Sequence, residues 1–175
     1  MKTITSLFIF LALTLFTNVI KAQTADQMIK DWERAKAYTK EYLDAMPEEG
    51  YAFKPTPEMR SFAEQMLHFT DANFELASLA GGIKNPIGEG AAGKLADKSK
   101  SATTKMVMDG YDFVITVIKN IKPEQFKDTV KAFDKYEITK AALFIKIFEH
   151  QTHHRGQTTV YLRLKGVVPP AEKLF

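Results

Sequence analysis

The side chains best suited to chemistry in this chain are its four histidines: His68, His150, His153 and His154. At about 3.6 residues per helical turn, His150 and His154 lie about 40° apart on one helix face, close enough for both imidazoles to reach one ion. His153 lies about 100° from His154 around the helix, so we expect it to make a hydrogen bond that supports helix packing instead of binding the ion.

The histidine pair interrupts an apolar stripe, because Leu143, Ile147 and Tyr161 fall within about 60° of His150 in helical projection. Imidazoles buried among such neighbours each need a polar partner, and one metal ion satisfies both lone pairs. His68, within an apolar stretch of an earlier helix, can supply a third ligand. The spacing alone also leaves open a buried polar network or a pH-sensitive surface cluster.

Two common metal motifs do not fit the sequence. A zincin requires Glu directly after the first His of the pair, but Gln151 follows His150. A di-iron bundle requires Glu three residues before each His, but Gln65 precedes His68 at that spacing. Cysteine is absent, which excludes thiolate ligands and a cysteine nucleophile. A mononuclear site on His68, His150 and His154 remains.

These histidines must be positioned by helices, because the apolar residues recur at helical spacing through most of the chain. Capping residues at the starts and Gly or Pro at the ends predict four helices and no strands. Four long helices indicate an all-α fold, specifically a four-helix bundle. The predicted helices cover about residues 25–45, 61–81, 99–121 and 139–166.

A glycine inside the fourth predicted helix also requires explanation. Gly156 is less favourable than Ala by about 1 kcal/mol in a helix interior. We therefore expect another helix to approach closely at Gly156.

The first 22 residues predict an export signal. Lys2 is followed by an apolar run from Leu7 to Phe16 and then by Ala22, a small residue suited to peptidase cleavage before Gln23. The apolar run is about half the length that a membrane-spanning helix needs, so no stable membrane anchor is expected. The sequence thus predicts a signal peptide over residues 1–22, one helical domain over residues 23–175, and an exported protein, periplasmic or secreted.

The charge balance argues against nucleic acid as a partner. The formal net charge of the chain is +3, and removal of residues 1–22 takes away two lysines and no acid, leaving +1. The remaining lysines are interspersed with Asp and Glu and do not form the basic face that phosphate binding requires. We expect a small-molecule ligand and no nucleic acid, and the sequence leaves a homodimer open.

The chain resembles the DinB/YfiT-like family over essentially its whole mature length, and two segments carry the resemblance. One is residues 149–157 (EHQTHHRGQ), continued by Tyr161-Leu162-Arg163 and Gly166, and the other is residues 57–64 (PEMRSFAE) leading to His68. The resemblance implies a four-helix bundle in which one histidine of the second helix and an H-x-x-x-H pair of the fourth bind one zinc or nickel ion. The matching positions are His68, His150 and His154.

The resemblance also implies metal-dependent chemistry, since some members are transferases that activate low-molecular-weight thiols. An open coordination position can lower the pKa of a bound water or thiol, so a transferase or a hydrolase is expected. Such thiols act mainly in the cytosol, so the predicted export weakens the case for a thiol transferase relative to a hydrolase or a noncatalytic metal-binding protein. A partner-binding bundle is a further alternative. Gln157 and Tyr161 continue the ligand stripe by about one and two turns and are the candidate catalytic residues, although Tyr161 also fits a packing role.

Overall fold

The computed structural model describes residues 24–175, so the predicted signal peptide lies outside the described residues. Within this range the chain forms four α-helices at the predicted places, and the four-helix bundle is confirmed. No helix in the described range is long and apolar enough to cross a membrane. The helices are α1 (Ala25–Ala45), α2 (Phe62–Gly81), α3 (Lys100–Asn120) and α4 (Lys140–Leu164).

The start of α2 is fixed by a reciprocal capping box. The Ser61 hydroxyl accepts a hydrogen bond from the Glu64 backbone N–H at 3.2 Å, and the Glu64 carboxylate accepts one from the Ser61 N–H at 2.8 Å. Gly82, with a φ of 64°, ends the helix in the left-handed conformation that glycine adopts without strain. These two ends determine where His68 lies along the bundle.

A β-hairpin precedes α4, and here the expectation of no strands was wrong. Strands β1 (Thr129–Ala132) and β2 (Tyr136–Thr139) pair antiparallel, and Phe133 at the tip has a φ of 53°. Val130 pairs with Ile138, and both pack against the core. Strands of four residues with one such apolar pair give too short an alternation to be recognised in sequence.

The core of the bundle is built on aromatic residues from different helices. α2 packs against α3 and α4, and α1 packs mainly against α3. Trp32 of α1 is 2% exposed and makes edge contacts with Tyr111 of α3 and Phe148 of α4, with ring centroids 5.7 and 5.4 Å apart. The indole ring of Trp32 thus joins α1, α3 and α4 in one contact.

A buried polar network sets the register of α4 against α1 and α3. The Tyr111 hydroxyl lies 2.6 Å from the Thr39 hydroxyl and donates to Gln151 Oε1 at 2.8 Å. Arg155 donates to the same oxygen at 3.3 Å and stacks on the Tyr38 ring, 4.4 Å from its centroid. Because a buried polar group must keep its partners, this network holds in place the turns of α4 that carry the histidines.

Two helices approach each other closely at Gly110, and not at Gly156 as expected. Gly156 is exposed, and a Cβ built there would meet nothing within 4 Å, so that expectation was wrong. At Gly110 of α3, in contrast, a Cβ would lie 2.8 Å from Thr70 Cγ2 of α2. Thr70 cannot easily turn away, because its hydroxyl donates to the Met66 carbonyl at 2.9 Å.

We expect Gly110→Ala and Gly156→Ala to change stability in opposite directions. Gly110→Ala forces α2 and α3 apart, which should reduce the free energy of unfolding by about 1–3 kcal/mol. Gly156→Ala adds only helix propensity in open space and should raise it by up to about 1 kcal/mol. Urea denaturation of the two variants measures both effects, and a shift of the same sign would contradict this account of the α2–α3 contact.

Candidate metal centre

The three predicted ligands converge between α2 and α4. His68, His150 and His154 each offer one ring nitrogen, and these nitrogens all lie within 4.8 Å of one another. His150 Nε2 and His154 Nε2 are 3.0 Å apart, and the His68 ring centroid lies 4.5 Å from that of His154 and 5.2 Å from that of His150. The structure therefore brings together residues that are more than 80 positions apart in sequence.

The arrangement fits a small divalent ion. Zinc binds imidazole nitrogen at about 2.0–2.1 Å, so two nitrogens on a tetrahedral ion are separated by about 3.4 Å. The separation of 3.0 Å between His150 Nε2 and His154 Nε2 is close to this value. Three neutral imidazoles are a donor set that suits zinc and nickel alike, and they leave room for further ligands.

A chain of side-chain amides continues from the ligands to His153. Gln65 of α2 is buried, and its Nε2 lies 3.0 Å from His154 Nδ1. The same Gln65 nitrogen contacts Gln157 Oε1, and Gln157 Nε2 lies 3.0 Å from His153 Nε2. His153 is exposed and stays out of the three-nitrogen cluster as expected, but its hydrogen bond is to Gln157 of its own helix and not directly to a neighbouring helix.

The electrostatics of the centre favour neutral imidazoles. Burial lowers the pKa of His154 to about 3 and that of His150 to about 4, and repulsion from the neighbouring histidines and Arg60 adds to both shifts. Burial and the Arg60 guanidinium also lower the pKa of His68. A neutral imidazole keeps its lone pair, which is the form that a metal ion requires.

These lowered pKa values predict that the metal-free protein loses stability as the pH falls from 7 to 5. An unfolded histidine takes up a proton near pH 6.5, whereas folded His154 and His150 remain neutral down to about pH 3 and 4, so protons favour the unfolded state in this window. We expect His154→Gln to reduce this loss and the exposed His153→Gln to retain it. Urea midpoints measured with a chelator at both pH values provide the comparison, and equal losses in the two variants would contradict it.

The centre lies between two cavities. One, of about 570 Å³, is lined by His154 together with Arg60, Gln65, Gln157 and Tyr161, among others. The other, of about 220 Å³, is more apolar. It is lined by His68, Asp71, Ala72, Glu75, Leu76, Phe133 and His150. A small molecule can thus reach the histidines from a polar side or from an apolar side.

The two candidate catalytic residues differ in their surroundings. Gln157 is exposed on the wall of the polar cavity, one turn from His154. Tyr161 lines the same cavity but is 1% exposed, and its hydroxyl donates to the Arg60 carbonyl at 2.8 Å. The Tyr161 hydroxyl therefore holds the segment before α2 in place.

Three residues near the centre were not singled out from the sequence. Gln65 was noted only as the residue that excludes a di-iron motif, because a lone Gln within an apolar stretch gives no signal of its partner. Arg60 lies just before α2, and no carboxylate in the described residues forms an ion pair with it. Phe133 reaches the site only because the unpredicted hairpin carries it there.

One family of known proteins and one curated relative match most of this chain in sequence. The profile of the DinB family matches residues 21–174. The protein YjoA of Bacillus subtilis is 24% identical over 148 residues, covering 81% of this chain and 91% of YjoA.

Solved structures share the fold. A DinB-like protein of Bacillus cereus superposes with a TM-score of 0.69 at 20% identity, covering 87% of this chain and 99% of its own. YfiT of Bacillus subtilis, a probable metal-dependent hydrolase with an unusual four-helix bundle topology, gives a TM-score of 0.63 at 20% identity, covering 85% of this chain and 91% of YfiT.

Proposed function

The chain belongs to the DinB family, and from this premise we propose that it is a metal-dependent enzyme, a hydrolase or a transferase, that holds one zinc or nickel ion on His68, His150 and His154. The observation that carries the proposal is the convergence of three imidazole nitrogens within 4.8 Å at the boundary of two cavities. The description of YfiT as a probable metal-dependent hydrolase supports the hydrolytic branch.

The chemistry follows from the open side of the site. An ion held by three imidazoles keeps coordination positions free and lowers the pKa of a water or thiol that binds there, for zinc-bound water to about 7. The protein itself supplies the surroundings. His154 is buried and His68 and His150 are half-buried, which lowers the pKa of all three and keeps them neutral, and Gln65 holds the ring of His154 in position.

The substrate is a small molecule that enters from the cavities beside the centre. On the polar side, the Arg60 guanidinium and the Gln157 amide provide a charged and a neutral hydrogen-bond donor. On the apolar side, Leu76 and the Phe133 ring contribute carbon surface. We propose that the reacting carbonyl or thiol group lies at the histidines while the rest of the molecule occupies these two cavities.

The test is metal-dependent turnover. The purified protein is stripped with a chelator, reloaded with zinc or nickel, and assayed against ester and amide substrates and against a low-molecular-weight thiol with an electrophile. We expect turnover that disappears on stripping, returns on reloading, and is absent in His68→Ala. If the protein takes up metal but turns over none of these substrates, it is a noncatalytic metal-binding protein and the proposal of an enzyme is wrong.

We also propose that the protein acts outside the cytosol, as a periplasmic or secreted protein. The support is the Lys2 charge, the apolar run to Phe16 and the small residue Ala22. Expression of the full-length chain in a bacterial host, followed by N-terminal sequencing, should give a chain that begins at Gln23. An intact N-terminus in the cytosolic fraction would contradict export.

A further inference from the structure

The amide chain from His154 to His153 can exist in only two hydrogen-bond polarities. In one polarity, Gln65 Nε2 donates to both His154 Nδ1 and Gln157 Oε1, and Gln157 Nε2 donates to His153 Nε2. Turning both terminal amides by half a turn exchanges oxygen and nitrogen without moving either position. The result is a second complete network in which every bond runs the opposite way.

The two glutamines must turn together. The Gln65 and Gln157 amides are in direct contact, so turning only one would place two oxygens, or two NH₂ groups, against each other. A single turned amide would also remove the hydrogen bond between the buried Gln65 and Gln157, which is costly in a low-dielectric interior. The pair therefore behaves as one two-state element.

Only one of the two polarities is compatible with a metal ion. If Gln65 Nε2 donates to His154 Nδ1, a neutral His154 ring must carry its proton on Nε2, the nitrogen that lies 3.0 Å from His150 Nε2. A ligand nitrogen cannot carry a proton. Metal binding through His154 Nε2 thus requires the proton on Nδ1, and this N–H requires Gln65 Oε1 as its acceptor.

We infer that Gln65 and Gln157 are positioning residues that turn as a pair, so that metal binding at His154 places a proton on His153 Nε2, which then donates to Gln157 Oε1. This inference rests on the proposed metal site. Its consequence reaches the polar cavity, because His153, Gln157 and Gln65 all line that wall. Occupancy of the metal site would then set the hydrogen-bond donors and acceptors that a substrate meets there.

Carboxylates at the two glutamine positions should affect zinc binding in opposite directions. A carboxylate only accepts hydrogen bonds, so Gln65→Glu fixes the polarity that His154 Nδ1–H needs and should bind zinc at least as tightly as wild type. Gln157→Glu requires Gln65 Nε2 to face it, which turns the wrong group towards His154 and should weaken zinc binding. Simple attraction between a carboxylate and a cation would strengthen binding in both variants.

Neutral variants separate this effect from lost packing. Gln65→Leu removes the acceptor and should weaken zinc binding by about 10- to 100-fold, as is usual for such supporting residues. Gln157→Met leaves the Gln65–His154 bond free to form and should bind zinc as wild type does. Circular dichroism melts check that each variant is folded, and competition with a chromophoric chelator measures affinity.

A spectroscopic measurement tests the proton positions directly. In the zinc-loaded wild-type protein, ¹⁵N NMR of labelled histidines should show a proton on Nδ1 of His154 and on Nε2 of His153. Zinc-loaded protein with His153 protonated on Nδ1, or a Gln157→Glu variant that binds zinc as tightly as wild type, would overturn the paired turn alone. A wild-type protein that takes up no zinc would overturn the metal site and this inference with it.

Discussion

His154→Ala should abolish stoichiometric metal binding while leaving the bundle folded. The wild-type protein is expected to bind about one equivalent of zinc or nickel, because three nitrogens converge on one point. His154 is the ligand closest to both partners, so its loss leaves only His68 and His150, whose rings are 5.2 Å apart and lie on different helices. Metal analysis after desalting measures the stoichiometry.

The adjacent histidine gives a matched control for this variant. His153→Ala removes the same side chain one position earlier in α4, but from an exposed site that contributes no nitrogen to the cluster. We expect it to retain about one equivalent of metal. If His154→Ala also retained its metal, or if both variants lost it, the assignment of the ligands would be wrong.

Gln157→Ala should reduce metal-dependent turnover by at least about tenfold, which corresponds to about 1.4 kcal/mol of barrier. Its side chain is exposed on the polar cavity wall beside His153, where its amide can orient a substrate. Because the side chain is not part of the core, metal content and melting temperature should stay near wild type. If a fully metal-loaded Gln157→Ala protein retains its turnover, Gln157 has no role in the reaction.

Tyr161→Phe should instead reduce stability. Its hydroxyl donates to the Arg60 carbonyl from a buried position, so the variant leaves that carbonyl without its partner. This bond is only partly buried, so its loss should cost about 0.5–1.5 kcal/mol, the usual net contribution of one hydrogen bond. Urea denaturation measures this loss, and any fall in turnover should follow from displacement of the Arg60 segment. A large fall in kcat with unchanged stability would instead indicate that Tyr161 is a catalytic residue.

The histidine pair of α4 and the bundle could be predicted from sequence because both depend on local periodicity, whereas His68 was added from its apolar stretch and from the family resemblance. Two histidines four residues apart on a helix must share a face, whatever the rest of the fold does. The four helices were predicted within about two residues of their ends, since capping residues such as Ser61 and Glu64 act through hydrogen bonds to nearby backbone.

The remaining features depend on contacts between segments that are distant in sequence, and only the tertiary structure decided them. Gln65 meets Gln157 across 92 positions, and Gly110 lies against Thr70, although neither position is marked by its neighbours in sequence. The hairpin that brings Phe133 to the centre is too short to show a periodic pattern. Periodicity specifies which face of a helix is buried, whereas the side chain that it meets is set by how the helices pack, which depends on the whole chain.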